Sequence, residues 1–369
     1  MAQITLDKLA HSYYPNPKTD ADFALKEIDY AWDDGGAYAL LGPSGCGKTT
    51  LLNIISGLLV PSKGKILFDG QDVTSFQPEQ RNIAQVFQFP VIYDTMTVRQ
   101  NLEFPLKNRN VPNDEISKRV EEMIEILDLS DKANKKARGL TADEKQKISL
   151  GRGLVRYDVN AILFDEPLTV IDPHMKWQLR TKLKDLHRQF GHTMIYVTHD
   201  QTEALTFADK VVVMYEGEVV QIGTPEELFD EPKHTFVGYF IGSPGMNFLP
   251  VDIQGDQAKL GNHTIQLKGG YEKLSGKVEL GIRPEFVALN STDEGIPAQI
   301  TSVEDIGRFK IVHTTVEGHE LNVVLNEGES VPSEPKIIIE TTRINIYQDD
   351  HLVHPIGHSE SNGKGINYG

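Results

Sequence analysis

The stretch Gly42-Pro-Ser-Gly-Cys-Gly-Lys-Thr-Thr50 constrains this chain more than any other. From Gly42 to Thr49 it fits G-x-x-x-x-G-K-[ST], a loop whose backbone N–H groups turn inward around a phosphate chain. Gly42, Gly45 and Gly47 let the backbone turn, with Pro43, Ser44 and Cys46 between them. Lys48 reaches the β/γ-phosphates as a point charge, and the Thr49 hydroxyl suits Mg²⁺. The flanks agree. Ala37 to Leu41 reads as a buried strand, and Thr50 to Ser56 as a helix whose N-terminal dipole faces the anion. Nucleotide binding is the expectation; what the nucleotide is used for must come from elsewhere in the chain.

At 369 residues the chain exceeds one ordinary core, and two domains are expected. With 37 basic and 53 acidic side chains the formal charge is −16, which argues against a nucleic-acid partner and against adhesion to anionic lipid. No apolar run approaches a membrane span, and the first residues lack the form of a secretory signal. The one cysteine, Cys46, lies inside the loop, so no intrachain disulfide forms and a cytoplasmic setting follows. Cys46 reads as a small residue whose backbone N–H matters, with redox sensitivity as the alternative.

Ile4 to Leu9 alternates and reads as a strand; Pro15 to Asp22 reads as a loop. Tyr13, just before that loop, serves equally well for stacking on a purine or packing a strand end. Asp69-Gly70 between Lys65–Phe68 and Gln71–Val73 marks a hairpin. Ile83 to Gln88 reads as a strand. Val111 to Ser130 reads as a helix capped by Asn113, with Ile116, Val120, Met123, Ile124 and Leu127 on one face. A second helix starts near Ala142. Val159 to Pro167 and Thr193 to Thr198 read as buried strands. Between them a helix after Pro173 carries Leu179, Leu183, Leu186 and Phe190 on one stripe. Strands alternating with helices predict an α/β domain with a largely parallel sheet over residues 1–240, with a helical insertion over about 90–156. Beyond it, over 241–355, short β-rich runs separated by Gly, Pro and Asn turns predict a small all-β barrel or sandwich. Residues 356–369 read as a disordered tail.

Asp165 and Glu166 end an apolar strand. In a phosphoryl-transfer site one carboxylate serves Mg²⁺ while the next polarises an attacking water. His199 ends the next strand and can donate to a γ-phosphate. Gln88 ends a third and can touch Mg²⁺ or the water, although by itself it carries little weight.

Together these motifs resemble the ATPase subunits of ABC transporters, specifically importers of the maltose/glycerol-phosphate type. Gly42–Thr50 resembles their Walker A, Val86-Phe-Gln88 their Q-loop and Ile162–Pro167 their Walker B with its catalytic glutamate. Leu168–Asp172 resembles their D-loop and Tyr196–Ala204 their H-loop; Tyr13 falls where their adenine-stacking aromatic lies. Leu280-Gly-Ile-Arg-Pro-Glu285 resembles their OB-like regulatory domain. The resemblance implies ATP and Mg²⁺ as cofactors, with Glu166 and His199 catalytic. It implies integral membrane permease subunits as partners, an extracytoplasmic binding protein acting indirectly, and a peripheral position at the cytoplasmic face of the membrane. A sugar, polyol or glycerol phosphate is the implied cargo.

One motif differs. The family's signature is Leu-Ser-Gly-Gly-Gln, and the aligned stretch here is Leu140-Thr-Ala-Asp-Glu144. In the family this segment contacts the γ-phosphate held by the opposite subunit. Thr141 keeps a hydroxyl, Ala142 adds a methyl group, and Asp143 sets a carboxylate where a phosphate would approach, unfavourable by on the order of a kcal/mol. The expectation is a heterodimer with a second, different ATPase subunit. Two alternatives stand: a regulatory subunit that hydrolyses weakly, and a soluble ABC ATPase outside transport.

Overall fold

The computed structural model describes residues 2–291 and 294–357, so residues 358–369 of the expected tail lie outside the described residues. The chain divides into two compact units between Pro225 and Glu226, earlier than the expected boundary after Phe240.

The first unit holds two sheets. An antiparallel sheet has the order β2-β1-β4-β5, from β1 (Ile4–His11), β2 (Leu25–Trp32), β4 (Lys63–Phe68) and β5 (Gln71–Asp72). The hairpin β4–β5 turns at Asp69 and Gly70, both at positive φ. The second sheet has the order β10-β9-β3-β8-β7-β6. It comprises β3 (Ala37–Leu41), β6 (Ala84–Val86), β7 (Ile162–Asp165), β8 (Met194–Thr198), β9 (Lys210–Tyr215) and β10 (Glu218–Gly223). Every pairing in it is parallel except β9–β10, and β3 and β8 are buried throughout, as strands covered on both faces must be. The alternation of strands and helices predicted this sheet. The separate antiparallel sheet was not foreseen, because pattern alone does not say which strands pair.

Helix α1 (Lys48–Ser56) follows the loop after β3 and shares one core with both sheets. Leu51, Leu52, Ile54 and Ile55 are fully buried there beside Leu6, Leu25, Leu40, Leu163 and Val197. Each such side chain contributes about 1.5–3 kcal/mol. The C-terminal carbonyls of α1 meet Arg81, at the end of the single turn α2 (Pro78–Arg81). Its guanidinium is 1% exposed and donates to Ile54 O at 2.6 Å and Ile55 O at 2.9 Å, and also to Thr74 O and Phe76 O. Burial pulls Arg81 down to about 10, so it stays charged near neutral pH and complements the negative end of the helix.

The helical insertion consists of α3 (Val98–Lys107), α4 (Asn113–Ile126) and α5 (Ala142–Leu154). The apolar face foreseen for α4 is buried: Ile116, Val120, Met123, Ile124 and Leu127. Pro112 rather than Asn113 occupies the N-cap, and Asn113 is the first helical residue. Helices α6 (Pro173–Phe190) and α7 (Gln201–Phe207) flank β8, with Leu179, Leu183 and Leu186 buried and Phe190 half-buried.

The second unit opens with α8 (Pro225–Asp230, its first residue on the near side of the break) and α9 (Thr235–Phe240). Four antiparallel sheets follow. One orders β11 (Asn247–Pro250), β15 (Val278–Ile282), β22 (Asn345–Gln348) and β23 (His351–Val353). The second joins β12 (Asp252–Gln254), β13 (Gln257–Leu260) and β14 (His263–Gln266). The third places β21 (Lys336–Ile339) between β16 (Val287–Asn290) and β17 (Ile296–Pro297). The last runs β18 (Gln299–Asp305), β19 (Phe309–Val316), β20 (His319–Asn326). Leu249, Leu280, Val312, Val323, Ile337 and Ile346 bring them to one apolar core.

Arg283 explains why the two short helices side with the β unit. It is 2% exposed and donates to Phe229 O at 3.0 Å, Gly238 O at 2.9 Å, and to the carbonyls of Ile241 and Leu228. One guanidinium thus collects the last carbonyls of α8 and α9 beside β15, and burial draws it down to about 10. Arg283→Met removes those donors from buried carbonyls and should cost the β unit about 2–4 kcal/mol. Denaturant unfolding followed in that unit checks this, and a loss below about 1 kcal/mol would contradict the capping role.

Candidate active site

The carboxyl ends of four parallel strands converge. β3 delivers the Gly42–Thr50 loop, β6 leads to Gln88, β7 ends at Asp165 and β8 leads to His199. Ligand sites in open parallel sheets form at this edge.

The loop is shaped by contacts only glycine permits. A Cβ on Gly42 would stand 2.2 Å from Met214 O, and Gly47 has φ 100 with a Cβ position 2.6 Å from Ala24 O. Gly47 is also the N-cap of α1, and it supplies no side-chain acceptor; no acidic residue follows in the first turn. Thr97 on α3, Thr141 on α5, Asp172 on α6 and Asp200 on α7 all accept from backbone N–H groups, whereas Pro112 gives α4 no such cap. The first N–H groups of α1 therefore have no side-chain cap, which fits a phosphate held by the loop. Pro43, Ser44, Gly45 and Cys46 form the rest of this cradle. Lys48 is buried and donates to Gly42 O at 2.7 Å and Pro43 O at 2.9 Å. Cys46 is buried and its thiol is pushed up by burial, a shift the Lys48 charge opposes, so it packs as a protonated small side chain.

Tyr13 reaches the end of this loop. Its hydroxyl lies 3.1 Å from Thr50 Oγ1, its ring meets His11 edge-on at 4.7 Å, and it is 64% exposed. One edge of the ring is packed and much of its surface is open to a stacking partner.

Glu166 is the hub of the opposite wall. Its φ is 45, a left-handed conformation that turns the chain out of β7 while its N–H donates to Val197 O at 3.0 Å. Its Oε2 accepts from Gln88 Nε2 at 3.4 Å and Thr169 Oγ1 at 3.3 Å and lies 3.1 Å from His199 Nδ1. Thr49 Oγ1 donates to Asp165 Oδ1 at 3.5 Å. Burial, then the neighbouring Glu166 charge, raises the Asp165 carboxyl above the usual range; the Thr49 hydroxyl and Lys48 oppose that. Among the described residues no three His, Cys, Asp or Glu side chains form a metal cluster. One carboxylate and one hydroxyl suit a hard cation that takes its remaining oxygens from water and phosphate.

The residues that flank His199 in sequence belong to a buried network. Tyr196 OH and Thr198 Oγ1 both donate to Glu203 Oε2 at 3.0 Å, Asp200 caps α7, and Lys176 pairs with Glu203 at 3.4 Å. The ring of His199 stays largely exposed, facing Glu166. Asp172 caps α6 by accepting from His174 N at 2.9 Å.

The stretch Leu140–Glu144 opens α5. Thr141 is its N-cap, Ala142 is exposed in first position and Asp143 half-buried in second. Glu144 accepts from Thr141 N at 2.9 Å and pairs with Lys132, which holds its carboxyl below the usual range. This helix N-terminus carries a capping box, Thr141 Oγ1 taking Glu144 N–H and Glu144 taking Thr141 N–H, unlike that of α1.

Three residues of this region were not legible as site residues. Thr169 had only its place within the Leu168–Asp172 stretch, three after Glu166, and Arg81 had no signal. Gln146 had one: a polar residue on the stripe that Ser149, Leu150 and Gly153 continue.

The raised Asp165 carboxyl has a consequence for stability. Its folded form binds a proton more tightly than the unfolded chain, so its charge costs stability once pH rises above the carboxylate range. In nucleotide-free and metal-free buffer, Asp165→Asn should raise Tm at pH 8, with the gain shrinking as pH falls through the raised folded carboxyl's range and gone below the unfolded carboxyl's. Thermal scans from acid to neutral pH check this; a Tm at pH 8 equal to or below wild type would contradict it.

Residues 25–169 match the ABC transporter family, and residues 242–287 match the MalK OB fold domain. The sn-glycerol-3-phosphate import ATP-binding protein UgpC of Bordetella avium is 39% identical over 333 residues, 88% of each chain. The trehalose import ATP-binding protein SugC of Mycobacterium tuberculosis is 37% identical over 388 residues, covering 95% of this chain and 97% of that one. Among solved structures, cbiO1 of Clostridium perfringens, part of the ABC transporter complex cbiONQ, is similar at a TM-score of 0.56 and 29% identity, covering 62% of this chain and 90% of its own. The ATP-binding cassette MJ0796, seen as a dimer with ADP and Pi, gives a TM-score of 0.53 and 26% identity, covering 60% of this chain and 98% of its own. A phosphate-binding loop on an open helix N-terminus, carboxylates across from it and a separate C-terminal β unit that matches an OB fold domain agree with these likenesses: the chain belongs to the ABC transporter family and is an ATPase of its MalK-like importer branch.

Proposed function

We propose that this ATPase energises import of a sugar, a polyol such as glycerol, or a glycerol phosphate. The cargo class rests on the relatives, named for sn-glycerol-3-phosphate and trehalose import. Hydrolysis rests on one observation above all, the convergence of Gln88, Thr169 and His199 on Glu166 opposite Lys48 and Thr49. Lys48 and the loop N–H groups hold the phosphates, and Tyr13 stacks on the base. Thr49 and Asp165 hold Mg²⁺, with Gln88 near enough to serve the metal or the water. Magnesium, when bound, neutralises charge on the transferring phosphoryl oxygens. Glu166 accepts the proton of the attacking water, Gln88 and Thr169 keep its carboxylate aimed, and His199 donates to the γ-phosphate. Asp172 fixes the start of α6 beside this wall.

Among the described residues no helix is long and apolar enough to cross a membrane. We place the chain peripherally on the cytoplasmic face, docked on integral permease subunits. The exposed run Phe87, Phe89, Val91 and Tyr93, directly after β6, supports that docking. Cargo choice then falls to the permease and an extracytoplasmic binding protein.

The partner in the nucleotide sandwich is, in this reading, a second and different ATPase. Across from a phosphate, α5 presents Asp143 and the Glu144 carboxylate already engaged with Thr141 and Lys132. Thr141 keeps its hydroxyl on its own helix, Ala142 adds bulk, and the Asp143 carboxylate opposes an incoming anion, while Lys132 neutralises Glu144. The site built on this chain's Gly42–Thr50 is then the active one, completed by the partner's signature.

Glu166→Gln should lower hydrolysis by the assembled transporter about 10²–10⁴-fold while nucleotide affinity changes by no more than about threefold. Unchanged transport would refute Glu166 as the base and favour a subunit that mainly binds. Reconstituted with a second ATPase subunit, this chain should hydrolyse ATP at least about tenfold faster than in a transporter holding only its own copies. Equal rates would establish two copies of this chain as the working pair.

A further inference from the structure

The side chain of Gln146 is completely buried in α5, and its amide reaches the backbone on both sides of the candidate site. Nε2 donates to Pro167 O at 2.7 Å, the carbonyl of the residue after Glu166. It also donates, at a longer 3.4 Å, to Phe87 O, the carbonyl of the residue before Gln88. Both neighbours are acceptors, so the amide can face them only with its nitrogen. Its Oε1 is buried with no partner among the described residues. A buried amide that leaves one acceptor unsatisfied is costly, and an apolar side chain would fill the same space without that cost.

The two carbonyls matter because of what they flank. Glu166 sits at φ 45, a strained conformation that a neighbouring restraint must hold. The Pro167 carbonyl follows it directly. Gln88 leaves β6 through a short exposed segment that α5 secures twice, through Gln146 at Phe87 and through Ser149 Oγ, which accepts from Val91 N at 3.3 Å. Helix α5 also lies tight on β6, where a Cβ on Gly153 would come within 2.8 Å of Val86 Cγ2. The same helix starts at Ala142, four residues before Gln146 and less than two turns away.

We propose that Gln146 is a positioning residue that sets Glu166 and Gln88 relative to each other and ties both to helix α5. A shift of α5 at its Leu140–Glu144 end then moves the Pro167 and Phe87 carbonyls together, so the state of one nucleotide site reaches the carboxylate of the other through a single amide. This rests on Glu166 being the base.

The test uses the assembled transporter with its second ATPase subunit. Gln146→Met keeps the length and removes the donor; kcat should fall on the order of tenfold with KM and nucleotide affinity within about twofold. In a Glu166→Gln background the same change should lower the residual rate no further, because the residue acts through that carboxylate. Gln146→Glu should regain activity relative to wild type as pH falls, since a protonated carboxyl again donates to Pro167 O while the ionised one faces two carbonyls. An unchanged kcat in Gln146→Met overturns the proposal. So does an equal fractional loss in the Glu166→Gln background, a flat relative pH profile for Gln146→Glu, or joint loss of nucleotide binding and kcat in both variants. A silent Glu166→Gln would instead defeat the hydrolytic reading itself, which keeps the two failures apart.

Discussion

Helix α1 is held at its C-terminus and along its length, and its N-terminus stays uncapped. At its C-terminus the buried Arg81 guanidinium takes the Ile54 and Ile55 carbonyls, and Gly57 turns the chain away in a left-handed conformation. Along its length Leu51, Leu52, Ile54 and Ile55 lock it into a core shared by both sheets. Its N-terminus alone is left without a side-chain cap. A helix so anchored presents its first N–H groups at a fixed place at the sheet edge, and those donors need no reorganisation to meet an anion. The rest of the site is arranged around that point.

The parallel sheet does the arranging. Register along β3, β8 and β7 puts Leu41, Thr198 and Asp165 near one level, so the residues that follow each strand emerge together. The left-handed Glu166 then turns its carboxylate toward His199 and Gln88 rather than along the strand. Buried polar groups sustain this at some cost. Glu203 serves Tyr196 and Thr198 beneath His199, and Gln146 spans the Phe87 and Pro167 carbonyls with one acceptor unsatisfied. Such networks fix geometry where an apolar core would only fill space.

The two helix N-termini of the site differ in chemistry. At α1 the N–H groups that follow Gly47 have no side-chain cap and are open to a phosphate, while Lys48 donates to the Gly42 and Pro43 carbonyls beside them. At α5 Thr141 and Glu144 close a capping box on themselves, Lys132 neutralises the glutamate, and Asp143 adds a second carboxylate. One end has no side-chain cap and the other carries its own capping box beside two carboxylates, and that asymmetry underlies the proposed unlike pair.

Much of this was legible in the residues because the chemistry is local. The loop Gly42–Thr50 declares itself through glycines that a phosphate cradle requires, and Asp165-Glu166 and His199 through polar residues that end apolar strands. The short strands beyond residue 241 announced an all-β unit through their turns. What the sequence could not supply is whatever depends on distant partners. Arg81 and Arg283 look like surface arginines until folding surrounds each with carbonyls from elements tens of residues away. The unit break fell at Pro225 rather than after Phe240 because Arg283 draws α8 and α9 to the β unit, and composition carries no trace of that contact. Gln146 and Thr169 became part of the site only once the sheet brought β6 and β7 side by side. Local backbone demands are written in residue type; long-range hydrogen bonds exist only after the chain has closed on itself.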